Sequence, residues 1–255
     1  MKYYRIASAD GSRWAREDEG GLRLLDGDPF SGTADRADVV PLDDARLLAP
    51  VAPSKIVAIG RNYRAHAAEL GHDVPSEPLI FLKPPSAVIG PGQPIRKPAW
   101  AGRVDHEAEL GIVIGRRTPV LAGPEEARPY ILGALCVNDV TARELQVKDV
   151  QFTRAKGFDT FCPIGPCIAT GLNLDDLKVA SRVNGEVRQS GTTTQLLFRP
   201  DYLVWFISRV MTLLPGDIIS TGTPAGVGPL ADGDIVEVEV EGVGVLENRV
   251  EAAGA

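Results

Sequence analysis

Val104-Asp105-His106-Glu107-Ala108-Glu109-Leu110-Gly111-Ile112-Val113-Ile114 is the stretch whose reading decides the fold. Side chains at every second position of a strand share a face, so its alternation predicts a β-strand. His106, Ala108, Leu110, Ile112 and Ile114 fall on one face, and Glu107 and Glu109 fall together on the other. Two adjacent carboxylates repel, which calls for water, a basic partner or a hard cation such as Mg2+ or Mn2+. Taken alone, a Glu-x-Glu is a solvated strand face, because acidic residues are mostly exposed. Ile235–Glu241 is the plain case: Glu237, Glu239 and Glu241 face one way, valines the other, and no chemistry follows.

The 255 residues are 44% hydrophobic and 24% charged, the composition of an ordinary globular protein. A net charge of −7 argues against a nucleic-acid-binding surface while leaving room for a local cationic pocket. Met1–Ile6 lacks the apolar core of a signal peptide, and no run reaches membrane-spanning length, so a cytoplasmic location without membrane contact is expected. Cys136, Cys162 and Cys167 are odd in number and without zinc-knuckle spacing, as for buried thiols in a reducing compartment. Three histidines are too few for a histidine-rich metal site.

Outward from the central stretch, residues 1–50 carry short apolar patches between Gly, Asp and Pro, which predict a small N-terminal β-unit; the proline-rich segment 48–53 reads as its linker to a second unit, 51–255. Lys55–Gly60 is a buried strand feeding a polar helix, with Asn62 as its cap and Gly71 as its end. On that helix His66 and Glu69 stand at i and i+3 and can touch; a carboxylate on an imidazole fixes its tautomer and raises its basicity, though exposed pairs of this kind are common and weak. Pro78–Lys83 is another buried strand, whose Lys83 reads as an end-of-strand charge. Tyr130–Asp139 is an apolar run that delivers Asp139 to a sheet edge. Thr141-x-x-Glu144 opens a helix as a capping box, with Arg143 and Gln146 on one face. Lys156 precedes a Cys/Pro/Gly turn, as a solvated cation or as a partner for an anion. Leu203, Phe206, Ile207, Val210 and Leu214 mark the inward stripe of a further helix. The glycine-rich loop Gly222–Gly228 lacks the Walker pattern, but its N–H groups and the Thr223 hydroxyl can hold a small carboxylate. Many short strands, few helices and no βαβ alternation predict a mainly β or mixed α+β fold.

These pieces, in this order, resemble the fumarylacetoacetate hydrolase family: Gly60-Arg61-Asn62-Tyr63 with His66 and Glu69; Phe81–Ser86; Asp105–Leu110; Asn138–Arg143 with Gln146; Lys156–Asp159; and Leu213–Gly228. The resemblance implies a mixed β-sandwich roll with a few short helices, assembled as a homodimer with one Mg2+ or Mn2+ per subunit. It implies Glu107, Glu109 and Asp139 as metal ligands and His66, Glu69 and Lys156 as catalytic residues. Arg61, Tyr63, Arg143, Gln146, Gly222 and Thr223 are implied as substrate-binding residues.

The activity implied is metal-dependent cleavage of a C–C bond in a small 2-oxo acid or diacid, through a metal-stabilised enolate. It would be an acylpyruvate-type hydrolase, an oxaloacetate decarboxylase, or both. The alternative is an isomerase or decarboxylase of 2-hydroxyhepta-2,4-diene-1,7-dioate type from aromatic catabolism. A non-catalytic metal-binding module is the third reading, opposed by His66, Glu69 and Lys156 occurring together. Two departures bear on the substrate. The N-terminal unit is much smaller than that of the fumarylacetoacetases, and Gln189–Gln195 differs from the family's usual Asn-Thr-x-Asp wording.

Overall fold

The computed structural model describes residues 1–9 and 11–253, and strands dominate it. The largest sheet runs, edge to edge, through Gly32–Val40, Gly21–Asp28, Gly11–Asp18, Lys2–Ser8, Cys162–Ala169, Ile131–Asn138, Ala108–Ile114, Ile218–Ser220, Ile56–Gly60 and Leu79–Lys83. A five-stranded sheet (Glu186–Thr192, Lys178–Val183, Ile235–Val240, Gly244–Ala253, Ile95–Pro98) packs against it. A small third sheet joins Thr141–Ala142, Val104–His106 and Gly228–Pro229. This is the α+β architecture expected, with few and short helices.

The central stretch is not one strand. Val104–His106 belongs to the small sheet and Ala108–Ile114 to the large one, and Glu107 sits at the switch between them. There its N–H donates to Asn138 Oδ1 at 3.0 Å and its carbonyl accepts from the Asp139 N–H at 2.9 Å. The alternation still holds. Ala108 and Leu110 enter a core with Val179, Val238 and Val240 of the second sheet; Ile112 and Ile114 meet Leu203, Val204 and Ile207 of a helix over Pro200–Ser208. Each such side chain withdrawn from water contributes about 1.5–3 kcal/mol. The opposite face is buried as well, by Val113 among Leu135, Val137 and Ile164, so the glutamates do not lie on a wet face.

The N-terminal strands extend the large sheet through Tyr3 paired with Ile168, and Tyr4, Ile6, Ala15 and Leu22 share the core of Leu110 and Cys136. At the hairpin Asn184 and Gly185 both have positive φ, as a tight two-residue connection requires.

Three local expectations are not met as read. Asn62 does not cap the helix Arg64–Glu69; its amide donates to Phe198 O at 3.0 Å and Thr221 O at 2.7 Å and accepts from Phe198 N–H at 2.8 Å. Gly71 does follow that helix in the left-handed conformation. Thr141 does not cap Arg143–Asp149; its hydroxyl donates to Asp139 O at 2.8 Å, and Glu144 accepts from the Arg103 N–H. The helix beginning at Pro200 ends at Ser208, so Val210 and Leu214 lie beyond it and exposed; Leu203, Val204 and Ile207 form its inward stripe.

Candidate metal centre and active-site cavity

Glu107 from the switch, Glu109 from the adjoining strand and Asp139 from the end of Ile131–Asn138 converge. One carboxylate oxygen of each lies within 4.8 Å of the others, and all three residues are buried. Their surroundings differ. Glu107 Oε2 accepts from Lys156 Nζ at 2.8 Å, and Oε1 meets Arg143 Nη2 at 2.6 Å. Burial opposes its ionisation, but Lys156 and Arg143 outweigh burial and hold the carboxyl well below the usual range. Asp139 Oδ2 accepts from Lys156 Nζ at 2.6 Å and Oδ1 from Lys83 Nζ at 2.6 Å. Burial opposes the charge of Lys156 as well, and Asp139 and Glu107 override it, raising its pKa.

Glu109 has no basic partner among the described residues. Its Oε2 accepts from the Ser220 hydroxyl at 2.5 Å and the Gly222 N–H at 2.8 Å. Burial, then Asp139 and Glu107, push its pKa up to about 8. The residues therefore fit a cation: the donors are all oxygens, they converge, and one carboxylate lacks positive charge beside it. Softer donors are excluded from the cluster. His106 Nδ1 faces Gln189 Oε1 at 3.1 Å, and burial pushes the Cys162 thiol up to about 12. An all-oxygen set suits Mg2+ or Mn2+.

The carboxylates open into a cavity of about 460 Å3, lined also by Arg61, His66, Arg143, Gln146, Lys156 and Thr223. That volume is in the range of small-molecule sites. His66, itself buried, has Nδ1 3.1 Å from Glu69 Oε2. Glu69 stands behind it, its Oε1 accepting from the Gly226 N–H at 2.9 Å. Gly226 has φ +102°, and a Cβ there would run into the Arg188 carbonyl oxygen. Arg143 is held by Asp105 Oδ2 at 2.8 Å and donates to Gln146 Oε1 at 3.1 Å, realising the i, i+3 pair. Arg61, at φ +58°, lines the cavity from a backbone region that non-glycine residues rarely adopt.

Not every expected residue reaches the cavity. Tyr63 is buried in a bridge to Leu196, and burial together with Glu109 raises its phenol pKa. Gly222 commits its N–H to Glu109, and its φ of +101° with a Cβ position 2.7 Å from Asn62 Cβ leaves room for no other residue. The Thr223 hydroxyl donates to Ala108 O at 2.8 Å, so that residue meets the cavity with its proton already engaged. Other residues were not anticipated. Lys83 is fully buried against Asp139, and Asp105 joins Arg143 to Arg103. Leu79, Phe81, Val147 and Phe152 form an apolar wall. The one sequence signal for Lys83 was a lysine at the end of an apolar strand.

Buried carboxylates, Lys156 and His66 line one cavity, with Glu69 behind His66, and together they define a site suited to a hard cation. Residues 55–251 match the family model described as fumarylacetoacetate (FAA) hydrolase C-terminal, and residues 1–50 match Rv2993c-like, N-terminal. The chain belongs to the fumarylacetoacetate hydrolase family. It is 47% identical to Protein Rv2993c of Mycobacterium tuberculosis, over 100% of this chain and 99% of that one. It is 41% identical to the mitochondrial oxaloacetate tautomerase FAHD2A of Bos taurus, over 85% of this chain and 73% of the relative. Among solved structures it is similar to a 2-hydroxyhepta-2,4-diene-1,7-dioate isomerase from Mycobacterium marinum (TM-score 0.91, 45% identity, all of both chains). It is also similar to a maleylpyruvate hydrolase from Sphingobium sp. SYK-6 in complex with manganese and pyruvate (TM-score 0.83, 31% identity, all of both chains).

Proposed function

We propose that the chain is a Mg2+- or Mn2+-dependent enzyme that cleaves a C–C bond in a small 2-oxo acid, as an acylpyruvate-type hydrolase or an oxaloacetate decarboxylase. The observation that carries this reading is that His66, backed by Glu69, shares one cavity with the buried Lys156 and the acidic triad. A bound divalent ion supplies Lewis-acid polarisation of the 2-oxo group. Glu107, Glu109 and Asp139 hold that ion. With its Nδ1 proton donated to Glu69, His66 offers the Nε2 lone pair as a general base toward water in the cavity. Lys156 places a fixed ammonium where negative charge develops on the substrate oxygens, an effect worth about 3–4 kcal/mol per well-placed donor. Arg143, Gln146 and Arg61 orient the acid, and the loop at Thr223 receives its carboxylate. Leu79, Phe81, Val147 and Phe152 give the carbon chain of the acid an apolar surface to lie against.

A second reading is an isomerase or tautomerase of a 2-oxo or 2-hydroxy-dienoic diacid. It is favoured by the name of the Mycobacterium marinum structure, at 45% identity, against 31% for the maleylpyruvate hydrolase. It uses the same ion and the same base without an attacking water. Ultraviolet spectra with acetylpyruvate, oxaloacetate and a hydroxymuconate-type diacid, run with Mn2+, separate the two. Cleavage products or CO2 support the first reading; a spectral shift with neither supports the second. Inertness toward all three would sink both.

A further inference from the structure

Gln189 lies outside the cavity and is completely buried, yet it engages both ends of its amide. Its Oε1 accepts from the Ala108 N–H at 2.9 Å and the Ser181 hydroxyl at 3.0 Å and faces His106 Nδ1 at 3.1 Å. Its Nε2 donates to Thr223 Oγ1 at 2.7 Å and Pro224 O at 2.7 Å. Ala108 is the residue between Glu107 and Glu109. Thr223 and Pro224 belong to the loop whose Gly222 N–H holds Glu109 and whose Gly226 N–H holds Glu69. One side chain thus touches the strand that carries the carboxylates and the loop that supports both the triad and the His66 partner. A buried amide left half satisfied is costly, so the two attachments constrain each other.

The direction of these bonds matters. Because Gln189 Nε2 donates to the Thr223 oxygen, the Thr223 hydroxyl proton turns to Ala108 O at 2.8 Å. The Thr223 backbone N–H has no acceptor among the described residues, and it is the donor this residue keeps for a ligand.

We propose that Gln189 is a positioning residue that locks the Glu107–Glu109 strand and the loop Gly222–Gly226 into one register, so that the ion site and the carboxylate-receiving loop are assembled together. The loop's role in receiving a carboxylate rests on the function proposed above; the register does not. Groups of this kind, one step behind the ligands, typically change metal affinity or activity ten- to a hundred-fold, roughly, when removed.

The test compares Gln189→Met, Thr223→Val and the double variant in the full-length protein, at temperatures well below unfolding. Mn2+ affinity is read by electron paramagnetic resonance, pyruvate affinity of the Mn2+-loaded protein by calorimetry, and amide exchange by mass spectrometry. Gln189→Met is expected to weaken Mn2+ about ten-fold or more and to speed exchange over 222–226. Thr223→Val removes the hydroxyl that meets both Gln189 Nε2 and Ala108 O but leaves the Gln189 bonds to the Ala108 N–H, Ser181 and Pro224 O, so it is expected to weaken pyruvate about ten-fold and Mn2+ by less than Gln189→Met does. The double variant should bind pyruvate no more weakly than Gln189→Met, because coupled residues are not additive. Should Gln189→Met fail to fold, Gln189→Glu keeps the shape and the acceptor side, and pyruvate should weaken well ahead of Mn2+. Wild-type Mn2+ affinity and exchange in Gln189→Met, multiplicative losses in the double variant, or equal losses of both ligands in Gln189→Glu would overturn the proposal. If the wild-type protein does not bind pyruvate, the proposed function fails while the Mn2+ and exchange measurements still decide the role of Gln189.

Discussion

Lys156 Nζ stands 2.8 Å from Glu107 Oε2 and 2.6 Å from Asp139 Oδ2, so one buried ammonium bridges two of the three converging carboxylates. Lys83 closes the other side of Asp139 and Arg143 the other side of Glu107. The charge of the cluster is therefore balanced everywhere except at Glu109, and that imbalance organises the expectations below.

Glu107→Ala removes a candidate ligand and leaves Lys156 and Arg143 short of a counter-charge in a buried site. We expect Mn2+ binding and turnover to be lost together, with stability lower by about 3–5 kcal/mol, as for other broken buried pairs. Mn2+ titration followed by electron paramagnetic resonance, alongside urea unfolding, checks both. Unchanged Mn2+ affinity would remove Glu107 from the ligand set.

His66→Ala acts on the base and not on the ion. Turnover of the substrate identified by the spectroscopic panel should fall roughly 10²–10⁴-fold, the usual size of a general-base contribution, while Mn2+ affinity stays at the wild-type value. A parallel loss of both would make His66 structural.

The pH dependence of the ion-free protein follows from Glu109. Its folded pKa, about 8, lies above the unfolded value of 4.5, so the folded chain holds a proton that the unfolded chain releases between these values. Its contribution to stability is complete below pH 4.5 and is lost as pH rises through about 8. An ion displaces that proton, so Mn2+ affinity should climb over the same window and binding should release protons. Thermal unfolding with chelator and with Mn2+, at several pH values, should diverge as pH rises; parallel curves would contradict the account of Glu109.

Lys83→Met removes one cation from a wholly buried pair. Asp139 keeps Lys156, so the loss should lie near the lower end of the 3–5 kcal/mol range for a broken buried pair. A urea midpoint indistinguishable from wild type would show that Lys83 contributes no net stability.

Much of this protein is legible in local sequence, wherever the deciding contacts are themselves local. His66–Glu69 and Arg143–Gln146 meet because i and i+3 on a helix are neighbours whatever the rest of the chain does. Glu107 and Glu109 share a side because extended chain alternates. Local capping signals misled where a partner other than the helix N–H groups was available. Asn62 is drawn to Phe198 and Thr221, far along the chain, and Thr141 to the Asp139 carbonyl two residues back, because burial forces every polar group to find a partner and a cap is only one of those on offer.

The alternation of Val104–Ile114, read alone, determined extended chain with two glutamates facing one way, and the sheets it joins split it into two strands with Glu107 at the switch. Whether that side was wet or buried, and what stood beside it, was decided by tertiary structure. Lys83, Lys156, Arg143 and Gln189 reach Asp139, Glu107 and Ala108 from other elements, some across more than fifty residues of chain. The physical reason is that the energy of a charge depends on what surrounds it: Glu237 and Glu107 have the same side chain on the same strand period, and only the packed neighbours make one a surface charge and the other part of a site.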